Sequence, residues 1–401
     1  MMNKRFMSLV VIAGATVVLA TVLSMRHTPE REGSLGAGEA LVPGLSERIN
    51  DIQRIGFTAA GGEPVLTRER GESGWGAQQR DGWPADVTRV RGFLLALADA
   101  RLLEAKTANP ERYATLGVED IDTADAGGVR VDLEGEGGFN SSLIIGNQAG
   151  MSGMYVRRPD EAGSWLASGD FVVHKDIGPW LQRGIADIGS SRIQQVELAI
   201  GDGPALRIHK DSADSANFQV SDVPAGRQLS SDFVANGMGS MLSTLTLEDV
   251  IRAAGQEPAA ADIHRASYRL FDGIVIELQA WRDDDGSQPW ARLSASLDED
   301  AAQAHIRARV EQEQAQAVAL AQNEAGAEIG SDEEEDVSVG SDPDDVLPAI
   351  DVDARLVDGL DELRREVARI NDRTEGWLFR LPAHKFDPIN KRMDDLLAAV
   401  D

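Results

Sequence analysis

Short stretches of alternating apolar residues, met twice in the same order, constrain this chain more than any other feature. A strand that buries one face puts every second side chain into the core, so such alternation argues for half-buried β-structure. Glu47-Arg48-Ile49 leads through Ile52, Ile55 and Phe57, and Ser191-Arg192-Ile193 leads through Val196, Leu198 and Ile200. Each run meets a turn bearing Gly and Pro, Gly61-Gly62-Glu63-Pro64 and then Gly201-Asp202-Gly203-Pro204. A second alternating strand follows in both places, Val65-Leu66-Thr67-Arg68 and Leu206-Arg207-Ile208-His209. An aromatic strand comes third, Trp75-Gly76-Ala77 and Phe218-Gln219-Val220. Each series then predicts a helix opened by an aspartate cap: Asp86 before Val87, Val90, Phe93, Leu94 and Leu97, and Asp232 before Phe233, Met238, Leu242 and Leu245. Both helices are expected to end near Leu-Glu, at Leu103-Glu104 and Leu247-Glu248. The offset of about 143 residues is too long for a solenoid period. A duplicated strand-strand-strand-helix unit is the reading.

More strand material surrounds these units. Val129-Arg130-Val131-Asp132-Leu133 alternates, Ser142-Leu143-Ile144-Ile145-Gly146 reads as buried, and Met154-Tyr155-Val156-Arg157-Arg158 with Trp165-Leu166 completes a meander. Asp272-Gly273, set between the apolar stretches 268–271 and 274–278, is a strong hairpin signal. Trp281 and Trp290 bracket the next turn, Asp283-Asp284-Asp285-Gly286, ahead of a further strand at 291–295. In the tail, Leu356, Leu360, Leu363, Val367 and Ile370 share one helical face, 376–382 reads as a strand and 389–397 as a closing helix. The expected fold is therefore α+β, with antiparallel sheets.

Charge and composition mark the ends of these domains. Lys4 and Arg5 precede residues 6–23, which contain no charged side chain. At 1.5 Å per residue that run spans roughly 27 Å, enough for a bilayer core, and the basic flank keeps the N-terminus cytoplasmic. A transmembrane helix is expected in 1–27, with Val18-Leu19-Ala20 as the competing signal for cleavage. A Gly-, Glu- and Pro-bearing stretch at 28–44 reads as a flexible linker. The first α+β unit is then placed at 45–184, the second at 185–297, a helical and then acidic insert at 298–352, and a helix-strand-helix completing the last domain at 353–401. From Asp298 to Asp353 there are 17 acidic residues against two basic, so this segment supplies −15 of the formal charge of −28. Self-repulsion and missing apolar content predict disorder over 326–348. The acidity excludes nucleic acid as a partner, because phosphate binding needs a basic surface to displace counterions. With no cysteine, disulfides, thiolate nucleophiles and zinc-thiolate sites are excluded as well.

No catalytic motif emerges. The six histidines, His27, His174, His209, His264, His305 and His384, show no H-x-H or H-E-x-x-H spacing, and there is neither a G-x-S-x-G elbow nor a Walker A loop. His209 falls in a strand and reads as structural. Asp283-Asp284-Asp285-Gly286 lacks the twelve-residue calcium pattern and reads as a solvated turn. Gly237-Met238-Gly239-Ser240 reads as a close-packing site. No metal, cofactor or catalytic residue is expected, and the chain reads as non-enzymatic. Among seven tryptophans, Trp83, Trp165, Trp180, Trp281 and Trp290 are the candidates for binding or interface roles, with core or staple roles as the competing reading.

Several stretches together resemble a known family. Trp75, Trp83-Pro84-Ala85-Asp86, Asn109-Pro110-Glu111-Arg112-Tyr113-Ala114-Thr115-Leu116-Gly117-Val118, Leu143-Ile144-Ile145-Gly146 and Gly153-Met154-Tyr155-Val156-Arg157 resemble domain of unknown function 4340. The tail, Trp377-Leu378-Phe379 with Phe386-Asp387 and Leu396-Leu397, is similar to the end of such proteins. The resemblance implies a membrane-anchored companion of ABC-type transporters, similar in setting to gliding-motility auxiliary proteins, with no catalytic residues to carry over. The expectation is a non-enzymatic accessory or scaffold protein of the inner membrane, with its bulk in the periplasm and transporter subunits or other envelope proteins as partners. The alternative is a periplasmic module that binds a small molecule or glycan.

Overall fold

The computed structural model describes residues 36–62, 64–71, 74–254, 262–283, 285–328 and 351–399. The charge-free run at 6–23, the first part of the linker and the acidic stretch at 329–350 lie outside the described residues. Among the described residues no helix is long and apolar enough to cross a membrane.

The chain divides into two compact units, and neither is continuous in sequence. Unit 1 comprises Met1–Val65 and Arg91–Lys175, and unit 2 comprises Leu66–Val90 and Asp176–Asp401. A sequential division at 184/185 therefore differs from the observed one at residues 66–90, which cluster with the C-terminal part.

In unit 1 the first alternating run forms β1 (Ile52–Thr58), which buries Ile52, Ile55 and Phe57. The chain then passes into unit 2 as a short meander of β2 (Pro64–Gly71), β3 (Gly74–Ala77) and β4 (Trp83–Pro84). It returns along helix α1 (Val87–Asp99), whose Arg89 amide donates to the Asp86 carboxylate at 2.9 Å, the expected cap. Leu103-Glu104 does not end this helix. It lies in a strand, β5 (Leu102–Ala105), because Arg101 and Leu102 are already bonded to backbone on either side. A meander follows: β6 (Val129–Gly135), β7 (Asn140–Gln148), β8 (Gly153–Arg157) and β9 (Ser164–Ser168). Within the unit the strand order is β1-β6-β7-β8-β9-β5, with every pairing antiparallel. Phe57 and Phe93 meet edge-to-face beneath it, ring centroids 5.4 Å apart.

The end of the stretch expected as a free linker is docked on this sheet. Gly38 N–H donates to Leu102 O at 2.7 Å, Leu102 N–H to Glu39 O at 2.9 Å and Leu41 N–H to Ala100 O at 3.0 Å. Leu41, Val42 and Leu45 are buried. Three apolar side chains among glycines were enough to seat the segment on the open edge of β5, an edge that otherwise invites unwanted pairing.

Unit 2 carries β10 (Gly184–Ala186), β11 (Ile193–Ile200), β12 (Leu206–His209), β13 (Gln219–Val220), β14 (Leu245–Thr246), β15 (Asp249–Arg252), β16 (His264–Leu270), β17 (Ile274–Arg282), β18 (Pro289–Leu297) and β19 (Trp377–Arg380). Its main sheet runs β13-β12-β11-β16-β17-β18-β19-β15, again antiparallel in each pairing, while β10 and β14 pair separately. The Asp272-Gly273 hairpin forms as expected. Gly273 has φ +89, and a Cβ there would stand 2.6 Å from the Ala302 amide nitrogen, so only glycine fits. The helix expected after Asp232 shrinks to one turn, Asn236–Gly239, and Asp232 does not cap it. Gly237 and Gly239 weaken it, and Gly239 is needed elsewhere: an added Cβ would sit 2.1 Å from the Phe218 ring. Leu247-Glu248 closes no helix either; it leads into β15.

The insert begins as a helix, α2 (Glu299–Glu328), and the tail supplies α3 (Val352–Thr374). Of the larger apolar residues in α2, Ile306 and Val310 pack with Ala302 and Leu360, whereas Val318 and Leu320 are exposed. Asn371 of α3 clamps β18 through both groups of Ala295, donating to its carbonyl at 2.9 Å and accepting from its amide at 2.8 Å. The expected closing helix at 389–397 is replaced by two 3-10 turns, Asp387–Ile389 and Met393–Leu396. The chain turns extended at Leu397 to bridge Leu229.

Arg192 ties α3 to the sheet. It donates to Asp272 Oδ2 at 2.6 Å and to Glu366 Oε1 at 2.8 Å. Burial opposes its charge, but the bonds to Glu366 and Asp272 outweigh burial and hold the guanidinium above its ordinary pKa. Replacing Arg192 with Met is expected to cost roughly 1–2 kcal/mol, since these groups are only partly shielded from water. Amide exchange in α3 should rise in the variant while exchange in β16 and β17 stays unchanged.

Candidate functional site

The motif residues that carry the family resemblance converge on two places, one in each unit. In unit 2, a left-handed turn at Asp81 (φ 50) and Gly82 (φ 79) delivers Trp83 inward at the end of the β2-β3-β4 meander. Trp83 is 3% exposed, and its indole N–H donates to the Gln182 carbonyl at 3.0 Å. Its ring meets Trp377 edge-to-face at 5.0 Å and Phe379 at 5.6 Å. Arg252 stacks its guanidinium over the Trp377 ring, 3.7 Å from the centroid. Backbone bonds hold the same motif: Asp86 N–H donates to Trp180 O and Gln182 N–H to Pro84 O, both at 2.9 Å. Beside it, Arg80 forms a two-pronged pair with Asp249, at 2.6 and 2.9 Å. The bond to Asp249 outweighs burial and raises the arginine pKa.

In unit 1, the stretch from Asn109 folds as a tight knot. Asn109 caps a 3-10 turn (Pro110–Arg112) through the Glu111 amide at 3.1 Å, and helix Tyr113–Leu116 follows, closed by Gly117 in the left-handed region at φ 68. Gly146 lies so close that a Cβ would stand 2.3 Å from Leu116 O, and at Gly128 one would stand 2.3 Å from Gly117 O. Arg157, 3% exposed, holds the knot from inside. Its Nε donates to Val118 O at 2.8 Å, and Nη1 to Pro159 O at 3.1 Å and Glu161 O at 3.2 Å. Nη2 pairs with Asp120, and the guanidinium lies 4.6 Å from the centroid of the Tyr113 ring. The arginine is thus spent on backbone carbonyls, in the planar fork geometry lysine cannot supply. A cleft of about 440 Å3 opens over it, lined by Tyr113, Pro110, Glu119, Asp120, Asp160 and Glu161 among others.

The five candidate tryptophans are not brought together. Trp83, Trp180 (1% exposed) and Trp281 (7%) are buried. Trp281 faces Trp290 across β17 and β18, and Trp165 faces Val156 across β9 and β8; Trp290 and Trp165 are half-buried. Sequence reasoning missed Arg157 and Arg80. The available signal at Arg157 was a charged residue in a strand of otherwise apolar pattern. One further constellation is visible, with Ser221 Oγ 3.2 Å from His209 Nδ1 and Asp211 3.9 Å from His209 Nε2. That last distance exceeds hydrogen-bond reach, and the Asp211 carboxylate already accepts from Gln219 at 2.7 Å. Among the described residues no group of three or more His, Asp or Glu is arranged to hold a metal ion.

These features define a mixed α/β protein with antiparallel sheets, in which the motif residues Trp83, Tyr113, Gly117 and Arg157 are buried while 109–112 are exposed. Residues 75–266 match the family model described as Domain of unknown function (DUF4340), the family that the motifs resemble. Neither a search of curated proteins nor one of solved structures finds a match.

Two substitutions test the architectural role of the motif residues. Trp83→Ala should destabilise unit 2 by about 3–5 kcal/mol, read as a shift in denaturant midpoint. Arg157→Met should cost roughly 2–4 kcal/mol by stranding several carbonyls, and Arg157→Lys should fail to restore it.

Proposed function

We propose that this chain is a non-enzymatic accessory or scaffold protein of the cell envelope, tethered to the inner membrane by residues 6–23 with both units on the periplasmic side. One observation carries this reading: the family's motif residues, Trp83, Tyr113, Gly117, Gly146 and Arg157, are engaged in holding the fold and leave little polar chemistry over for a substrate. The anchor rests on the charge-free run behind Lys4 and Arg5, and the transporter subunits as partners rest on the family resemblance.

Internal duplication belongs to the same proposal. The order β1-β6-β7-β8-β9-β5 matches β11-β16-β17-β18-β19-β15 strand for strand, and each series follows its first strand with a short meander. The helical insert then stands between the third and fourth strands of the second meander, where the first has only a turn. A repeated sheet suits a protein that presents surfaces outside the membrane.

Membranes solubilised in mild detergent provide the test. The tagged full chain is expected to retain permease or ATPase components of a transporter; recovery of the bait with no such component would overturn the partner assignment. Deleting residues 1–27 should move the protein from the carbonate-resistant membrane fraction to the soluble fraction. The cleft over Arg157 favours a second reading, a module that binds a small molecule. A screen of envelope metabolites and glycans by thermal shift should then find a ligand that raises Tm, and failure across the screen removes it.

A further inference from the structure

One titratable group in unit 2 plays no part in either reading. His264 opens β16, half-buried, with its ring 4.9 Å from the ring of Phe386 in an edge-to-face arrangement. Phe386 is fully buried, and Arg282 at the end of β17 sets its guanidinium 4.8 Å from the centroid of the same ring. The backbone of Ile389 hydrogen-bonds the imidazole. The other ring position, Nδ1, is shut off from solvent with no partner among the described residues. The C-terminal segment thus meets this histidine at two points, the Phe386 ring and the Ile389 backbone. Phe386, Ile389 and Leu396 are its buried anchors. Beyond them it is held by Ser230 N–H to Leu396 O at 2.9 Å and Ala398 N–H to Gln228 O at 2.8 Å.

The charges around the ring are unbalanced. Arg392 from the tail and Arg282 from β17 both oppose a proton on it, while the Ile389 backbone bond and Asp262 ahead of β16 favour one, and burial outweighs them. The other cations nearby are committed elsewhere: Arg265 donates to Gly201 O at 3.0 Å, and Lys385 Nζ to the carbonyls of Met241 and Ser243 at 3.2 and 2.5 Å. Of the tail's acids, Asp395 accepts from the Arg392 amide at 2.8 Å, and Asp387 is exposed, as is His384.

We propose that His264 and residues 383–396 form an acid-released clasp, in which protonation of the imidazole detaches the tail and uncovers the apolar groove that Phe386, Ile389 and Leu396 fill. A second ring N–H would be created at Nδ1, where no acceptor waits, and its charge would be opposed by Arg392 and Arg282. Burial first, and then Arg392 and Arg282, depress the pKa of the closed form below the ordinary histidine value. The sign follows from linkage. The closed state is fully favoured above the ordinary value of about 6.5, and that stability drains away as pH falls from there toward the depressed value.

Hydrogen exchange of the full chain at about pH 7.5 and about pH 5 reads the clasp directly, after correction for intrinsic rates. Residues 383–397 should lose protection several-fold at the lower pH, while the centres of β16 and β17 keep theirs. His264→Phe, which packs on Phe386 without ionising, should abolish the pH dependence, and His384→Gln should leave it intact. Should His264→Phe fail to fold, NMR titration of the wild-type imidazole decides the matter: a midpoint below that of His384 supports the clasp. Protection of the tail that is independent of pH, or a His264 midpoint at or above the ordinary value, overturns it.

Discussion

The packing of Trp83 against Trp377 and Phe379 is the interaction on which unit 2 depends. It joins a meander near the start of the chain to the last strand, and both partners are nearly free of solvent. A large aromatic surface removed from water stabilises by several kcal/mol, and the indole N–H would oppose burial if left unpaired. The Gln182 carbonyl removes that penalty. Around this point the Arg80–Asp249 pair, which is partly shielded from water, and the stack of the exposed Arg252 on Trp377 are supporting features. The discontinuous division of the chain is consistent with this ring and its neighbours: Trp83, Arg80, Pro84 and Asp86 all bond to the C-terminal part.

Much of the sheet architecture was legible in the sequence. Strands announce themselves through a period of two, so β1, β6, β11 and the β16–β17 hairpin stand where Ile52, Val129, Ile193 and Asp272-Gly273 put them. The second helix was misread because its apolar spacing was right and its glycines were discounted; Gly239 serves the Phe218 ring, not a helix. Docking of residues 38–45 was also hidden, since three apolar residues show no period of their own. The sites were less legible than the fold. A tryptophan's type predicts burial but not its partner, and the partner of Trp83 lies at the far end of the chain. Arg157 looked like one more polar position in a strand because its acceptors are carbonyls, which every residue has.

Two kinds of motif are commonly conflated, those that position reacting atoms and those that close a difficult backbone. The motif around Arg157 does close a difficult backbone. Its glycines let chain segments approach to distances no side chain allows, and its arginine satisfies carbonyls that a tight turn would otherwise leave bare. Such a knot needs a particular sequence as strictly as an active site does. The motif stretches 75, 83–86, 109–118, 143–146 and 153–157 all lie within the family match.

The reach of Trp83 to Trp377 also has a consequence in time. Synthesis runs from one end, at about 5–20 residues per second, so the indole is made roughly 15–60 s before the strand that covers it. Throughout that interval the meander holds a large apolar ring with no permanent place to put it. The second sheet, whose β15 edge awaits β19, is likewise incomplete until the chain is nearly finished. Closure of this unit is a terminal event, and a chain interrupted anywhere before residue 377 has lost its keystone, however much of its sheet is present.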